Sequence, residues 1–198
     1  IPRQAIDLNS QMILSWGRIV ENKGFEYVLK AIAELRETFP KLVYYLIGEG
    51  PDTQRLQQII TALGLEKVVV FPQRRYEQNE LFELIAACRF VINPSHDKTE
   101  CFGLVALEAM QMGKMVLTTA HPGLNELVMD GITGKTFKFT DLNDLKAKIT
   151  DLLQDSDELL TLSEQAYQHV NKHYQLDKMI DEYQELYRQL QLKVDCRC

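Results

Sequence analysis

Residues 90 to 117 read FVINPSHDKTECFGLVALEAMQMGKMVL, from Phe90 to Leu117. The stretch opens on the apolar run Phe90-Val91-Ile92, crosses a polar loop, and starts a helix near Gly103. It closes on a second apolar run, Met115-Val116-Leu117. Both runs are continuous instead of alternating, the pattern of parallel strands covered on both faces. The same kind of run occurs upstream at Met12-Ile13-Leu14, at Leu42 to Ile47 and at Val68 to Phe71. Amphipathic segments lie between them. Phe25, Val28, Leu29, Ile32 and Leu35 share one helical face, Leu56, Ile59, Ile60 and Leu63 another, and Leu81, Leu84 and Ile85 a shorter third. This alternation predicts an α/β fold, a doubly wound parallel sheet with right-handed crossovers.

After Gly134 the pattern predicts helices only. Leu142, Leu145, Ile149, Leu152 and Leu153 mark one, with Thr140 as its N-cap. A second runs from about Asp157 to His173, and a last one carries Met179, Ile180, Tyr183, Leu186, Tyr187 and Leu190. Residues 1–198 read as a single domain, with a core over about 10–155 and C-terminal helices over 156–192.

Hydrophobic residues make up 45% and charged residues 25% of the chain, as in ordinary globular proteins. No apolar run approaches the ~20 residues that span a bilayer. Without a basic, apolar leader the expected location is cytoplasmic. A net charge of -6 with no basic patch speaks against nucleic acid as a partner. Four cysteines at this length do not form a disulfide scaffold. Cys88 reads as a core thiol, and Cys196 and Cys198 as a frayed polar end. The chain opens on Ile1, which suggests a piece of a longer protein.

In an open α/β sheet, ligands bind at the carboxyl ends of the strands. Gly48-Glu49-Gly50 follows a strand there, but position 53 is Thr, so the dinucleotide fingerprint is incomplete. Pro51 after it suits a first helical position. Gly134-Lys135-Thr136 lacks the earlier glycine of a phosphate loop, where Met129 stands, and reads as a tight turn. The segment Gly17 to Gly24 is more informative. It carries Arg18 and Lys23 and opens a helix, which suits a pyrophosphate; solvated surface cations are the plainer alternative.

Glu100 stands just before the helix that starts near Gly103, and Glu108 one to two turns into it. At 1.5 Å rise per residue the carboxylates are expected roughly 8–12 Å apart, on either side of a phosphate-binding turn. Carboxylates only accept hydrogen bonds, so they grip hydroxyl groups and not phosphate. A ligand with hydroxyls at both ends and a pyrophosphate between them fits: a nucleotide sugar. The plainer reading makes Glu100 a helix-dipole partner and Glu108 a surface acid, although Ala106, Leu107, Ala109 and Met110 give Glu108 an apolar setting. His169 and His173, spaced i, i+4, read as a surface pair and not as metal ligands. His96 and Asp97 lie before Glu100, in reach of acceptor or sugar or simply shaping the loop, and His121 falls near the same place.

Four landmarks recur in order: Gly17-Arg18 with Lys23-Gly24; Gly48-Glu49-Gly50-Pro51; the E-x7-E element Glu100 to Glu108; and Pro122-Gly123-Leu124-Asn125-Glu126 with Asp130-Gly131 and Gly134. Together they resemble the C-terminal, Rossmann-like donor domain of family 4 (group 1) glycosyltransferases of the GT-B fold, with a helical C-terminal extension. The resemblance implies a retaining glycosyltransferase whose donor is a UDP- or GDP-linked sugar, with no metal and no cofactor. It implies that Arg18 and Lys23 hold the pyrophosphate, and that Glu100 contacts the transferred sugar near the reacting carbon. The backbone of Phe102, Gly103 and Leu104 would meet the phosphate, Glu108 the ribose, and Gln73 and Arg74 the base. Two positions depart from the pattern: Cys101 where proline is common, and Gln73 where glycine is frequent.

The resemblance further implies an N-terminal acceptor-binding domain outside this chain, so that the domain alone is inactive. Membrane association would come only through the full-length protein. The last helix packs on that N-terminal domain in the family; alone, it is expected to fold onto its own domain or to make a dimer contact. An epimerase-like enzyme of the same fold and a non-catalytic interaction domain are the alternatives.

Overall fold

The computed structural model describes residues 6–96 and 103–195, the last four of these by their helical backbone only. Six parallel strands form one sheet: β1 (Met12–Trp16), β2 (Val43–Ile47), β3 (Val69–Val70), β4 (Phe90–Asn93), β5 (Val116–Thr119) and β6 (Lys135–Phe137). Their order is β3-β2-β1-β4-β5-β6, so the chain direction across the sheet reverses between β1 and β4. Loops leaving those two strands diverge to opposite faces and leave a crevice at their carboxyl ends.

Successive strand residues face opposite sides, and both sides are apolar. Ile13, Phe90, Ile92 and Leu117 enter one core, with α1 (Phe25–Leu35), α2 (Thr53–Ala62) and α5 (Leu142–Gln154). Leu14, Val91 and Val116 enter the other. There they meet Ile85 of α3 (Gln78–Ala87), Ala109 and Met110 of α4 (Leu104–Gln111), and Ala166 and Val170 of α6 (Ser156–His173). Fully burying one such aliphatic side chain contributes about 1.5–3 kcal/mol. Two buried cations stitch the edges. Arg89 donates to the carbonyls of Leu8, Leu152 and Leu153, and Lys114 to those of Ala86 and Cys88. Cys88 is a free, buried thiol, and burial pushes it up to about 12.

Three expectations are corrected. The region after Gly134 is not only helical, because β6 pairs in parallel with β5 from Leu117↔Lys135 to Thr119↔Phe137. It is a three-residue edge strand held by polar contacts: the buried Lys135 ammonium lies 2.5 Å from Glu158, and the Thr136 amide donates to Asp130. The N-cap of α5 is Asp141, whose carboxylate accepts from the Asp144 amide, and Thr140 instead turns the chain at φ 74°. Pro51 lies in a turn before α2, whose N-cap is Asp52.

The last helix, α7 (Leu176–Asp195), does not fold onto its own domain. Every described side chain of α7 is exposed, including Leu176, Ile180, Tyr183 and Tyr187. No helix among the described residues is long and apolar enough to cross a membrane.

Candidate functional site

Three loops meet where β1, β2 and β4 end. The Gly17 amide donates to the Ile47 carbonyl at 3.0 Å, and the Ile19 amide to the Glu49 carbonyl at 2.9 Å. This lays the loop after β1 directly on the loop after β2. At Gly48, φ is 150° and an added Cβ would stand 1.9 Å from the Gly17 carbonyl oxygen, so no side chain fits there. The His96 amide, after β4, donates to the Asn22 carbonyl at 3.2 Å and joins the third loop to the first.

The frame leaves a pocket of about 340 Å³ whose wall includes Trp16, Arg18, Glu49, Arg75 and Tyr76. Arg18 projects from it exposed, and Lys23 is half-buried at the end of the short 3₁₀ turn Glu21–Lys23, before α1. Glu49 and Arg75 form an ion pair of 2.6 Å at the rim, where both are largely solvated and the pair adds little stability.

Glu108, on α4, adjoins this pocket through Trp16 of its wall. Its Oε2 accepts from the Trp16 indole N–H at 3.2 Å. Burial pushes the Glu108 carboxyl above the usual carboxylate range, and the indole hydrogen bond partly offsets that. The N-cap of α4 is Gly103 at φ 77°, pressed so closely on Leu124 that a Cβ would stand 2.1 Å from its side chain. As the helix after β4 in a parallel sheet, α4 starts at the carboxyl ends of the strands, and its positive end lies on that side.

The loop after β3 is set by side chains. Gln73 adopts φ 56°, left-handed backbone that favours glycine and accounts for the glycine frequent at this place in the family pattern. Gln73 and Arg74 stand beside the pocket, not on its described wall. The Gln73 amide bonds Gln57, while the Arg74 guanidinium lies 3.9 Å from the Tyr76 ring and bonds Glu80. Arg74, with help from the Glu77 amide, holds the Glu80 carboxyl down at about 2. Tyr76 in turn bonds the Tyr45 hydroxyl at 2.8 Å.

The described residues thus put Arg18 on the pocket wall and join Glu108 to it through Trp16, with Lys23 further along the loop of Arg18 and Gly103 at the start of α4. Glu100, Phe102, Asp97 and Cys101 lie outside the described residues, as do Cys196 and Cys198, so the Glu100–Glu108 spacing is not read here. The Leu104 side chain is exposed and lines a separate groove with Leu107 and Met179. His96 stacks on Phe139 at 3.7 Å between ring centroids. His121 is buried, its Nδ1 accepting from the Gly123 amide. His169, half-buried, and the exposed His173 have ring centroids 5.0 Å apart, and no group of three metal-ligating side chains occurs among the described residues. The sequence reading missed Trp16, although a lone tryptophan at a strand end before Gly17-Arg18 was a usable signal. It named Glu49 only within Gly48-Glu49-Gly50, and next to Arg75 and Tyr76 it named Gln73 and Arg74 instead.

Residues 1–169 match the family Glycosyl transferases group 1. The chain belongs to this family. The chain is 32% identical over 192 residues to D-inositol 3-phosphate glycosyltransferase of Corynebacterium urealyticum, covering 93% of this chain and 44% of the relative. It superposes on a crystallised C-terminal domain of a group 1 glycosyl transferase from Francisella tularensis with TM-score 0.75 and 26% identity, covering 86% of this chain and 89% of that one. It also superposes on HepE of Anabaena, solved with UDP, with TM-score 0.82 and 25% identity, covering 91% of this chain and 49% of that one. The chain has the Rossmann-like α/β architecture of GT-B structures, with a helical C-terminal end. It spans about half the length of the curated relatives it matches.

Proposed function

We propose that this chain is the donor-binding half of a retaining hexosyltransferase that uses a UDP- or GDP-linked sugar. The observation that carries the reading is the hydrogen bond that ties Glu108 of α4 to Trp16, which shares a pocket wall with Arg18 where β1 ends at the strand-order reversal. Cations suit a diphosphate, and a half-buried carboxylate suits sugar or ribose hydroxyls. HepE, solved with UDP, and a relative in Mycolicibacterium smegmatis described as GDP-mannose-dependent, 30% identical over 149 residues, support the nucleotide class.

In this reading Arg18 and Lys23 hold the pyrophosphate, helped by backbone N–H groups of Phe102, Gly103 and Leu104. Glu108 accepts from the ribose, and Glu100 orients the transferred sugar without becoming a covalent nucleophile. Charge developing on the departing diphosphate meets these cations and the helix terminus, so no metal and no cofactor is called on. Gln73 and Arg74 lie near the base, with Arg75 and Tyr76 of the same loop on the pocket wall. The acceptor is bound by an N-terminal domain beyond this chain, which therefore binds donor nucleotide without turnover, in the cytoplasm. Nucleic acid is no partner, and any membrane association belongs to the full-length protein.

Calorimetry with uridine and guanosine diphosphates on the native chain and on Glu108→Ala tests this. Weaker binding by the variant is expected. Equal binding by both proteins removes Glu108 from the ribose role.

A further inference from the structure

We infer that Trp16 is a positioning residue for nucleotide recognition, holding Glu108 so that its other carboxylate oxygen faces the donor's ribose. The inference rests on the reading of Glu108 as ribose acceptor. Trp16 is the last residue of β1, and Glu108 sits on α4, 92 residues away on the far side of the strand-order reversal. The contact at 3.2 Å is the single side-chain hydrogen bond to this carboxylate among the described residues.

Its direction is fixed, because an indole nitrogen only donates and an ionised carboxylate only accepts. Oε2 is therefore occupied, and the torsion that swings the two oxygens is pinned. Oε1 keeps its lone pairs for a hydroxyl donor. Holding one oxygen from the protein side removes rotamer freedom that the ligand would otherwise have to freeze. The same hydrogen bond favours the charged form of a carboxyl that burial disfavours, and the charged form is the one that accepts two ribose hydroxyls.

Simple packing is the competing role, since the indole also rests partly buried against the apolar core of Leu14 and Ile47. Trp16→Phe separates the two, because phenylalanine keeps an aromatic ring and lacks the N–H. The measurement is calorimetry on the 198-residue chain with uridine and guanosine diphosphates and their 2′,3′-dideoxy forms, from pH 4.5 to 8. Thermal melting checks that each variant is folded. If the phenylalanine variant does not fold, a benzothiophenyl analogue of Trp16, with sulfur in place of N–H, keeps the shape.

Trp16→Phe is expected to weaken the ribonucleotide about tenfold, the cost of roughly one charge-assisted hydrogen bond, and to leave the dideoxy form unchanged. The acidic limb of the binding profile moves to higher pH. A variant that weakens both forms equally, or neither, overturns the positioning role. Failure of the underlying reading looks different. There the native chain and Glu108→Gln both bind ribo and dideoxy forms alike, or neither nucleotide binds at all.

Discussion

Gly48 and Gly17 touch through their backbones, and the carbonyl oxygen of Gly17 occupies the space that a Cβ on Gly48 would need, 1.9 Å away. The first and second loops of the site are therefore held at a separation that any side chain would increase. Gly48→Ala is expected to lower the melting temperature by roughly 6–12 °C, the effect of about 3 kcal/mol of overpacking in a domain of this size. A scanning calorimetry trace close to that of the native chain contradicts this.

Arg89 gives a second test, of stability alone. Its guanidinium donates to Leu8, Leu152 and Leu153 carbonyls and to the Ser156 hydroxyl, tying the end of α5 to the start of β4. Arg89→Ala leaves these acceptors unmet and is expected to cost roughly 3 kcal/mol in urea unfolding. Arg89→Lys, which keeps a donor, loses less.

The Arg18 side chain is exposed and makes no hydrogen bond or ion pair among the described residues. Removing it is therefore cheap for the fold and expensive for a diphosphate ligand. Arg18→Ala is expected to leave the melting curve in place and to weaken uridine or guanosine diphosphate about tenfold. Added salt narrows the difference between native and variant, because screening weakens the lost attraction. An affinity insensitive to both the substitution and salt removes Arg18 from the site.

For Glu108 the sign follows from its raised proton affinity. The folded chain binds this proton more tightly than the unfolded chain, so the carboxylate opposes folding once pH rises above the ordinary value of 4.5. Below that value both states are protonated and the penalty is absent. Glu108→Gln keeps an acceptor for Trp16 and avoids burying a charge. Its melting temperature should match the native one near pH 4 and exceed it at pH 7, even while ribonucleotide binding falls. A variant less stable than the native chain at pH 7 refutes this.

β1 to β5 were legible because each is a continuous apolar run, the edge strand β3 with its exposed Val70 included. β6 was not, since Lys135-Thr136-Phe137 is not an apolar run and is held by Glu158 and Asp130, contacts that no local pattern announces. The periodicity of α7 was legible, but its partner was not: amphipathicity names a face and leaves open what covers it. In the site, the loops followed from the strand ends. Which residue of the loop after β3 faces the pocket did not, because the positive φ of Gln73 redirects the chain just before Arg74, Arg75 and Tyr76. Nor did the pairing of Trp16 with Glu108, which exists only once β1 and α4 are brought together.

The sequence contains one tryptophan, and it stands on the pocket wall against Glu108. Tryptophan emission from this chain, excited at the red edge where its eight tyrosines do not absorb, consequently arises from a single known place. A shift in its intensity or wavelength on adding a nucleotide registers an event at the crevice, and emission during denaturation follows the junction of β1 and α4 instead of an average over the fold. The molecule comes with an optical probe already installed where the question lies.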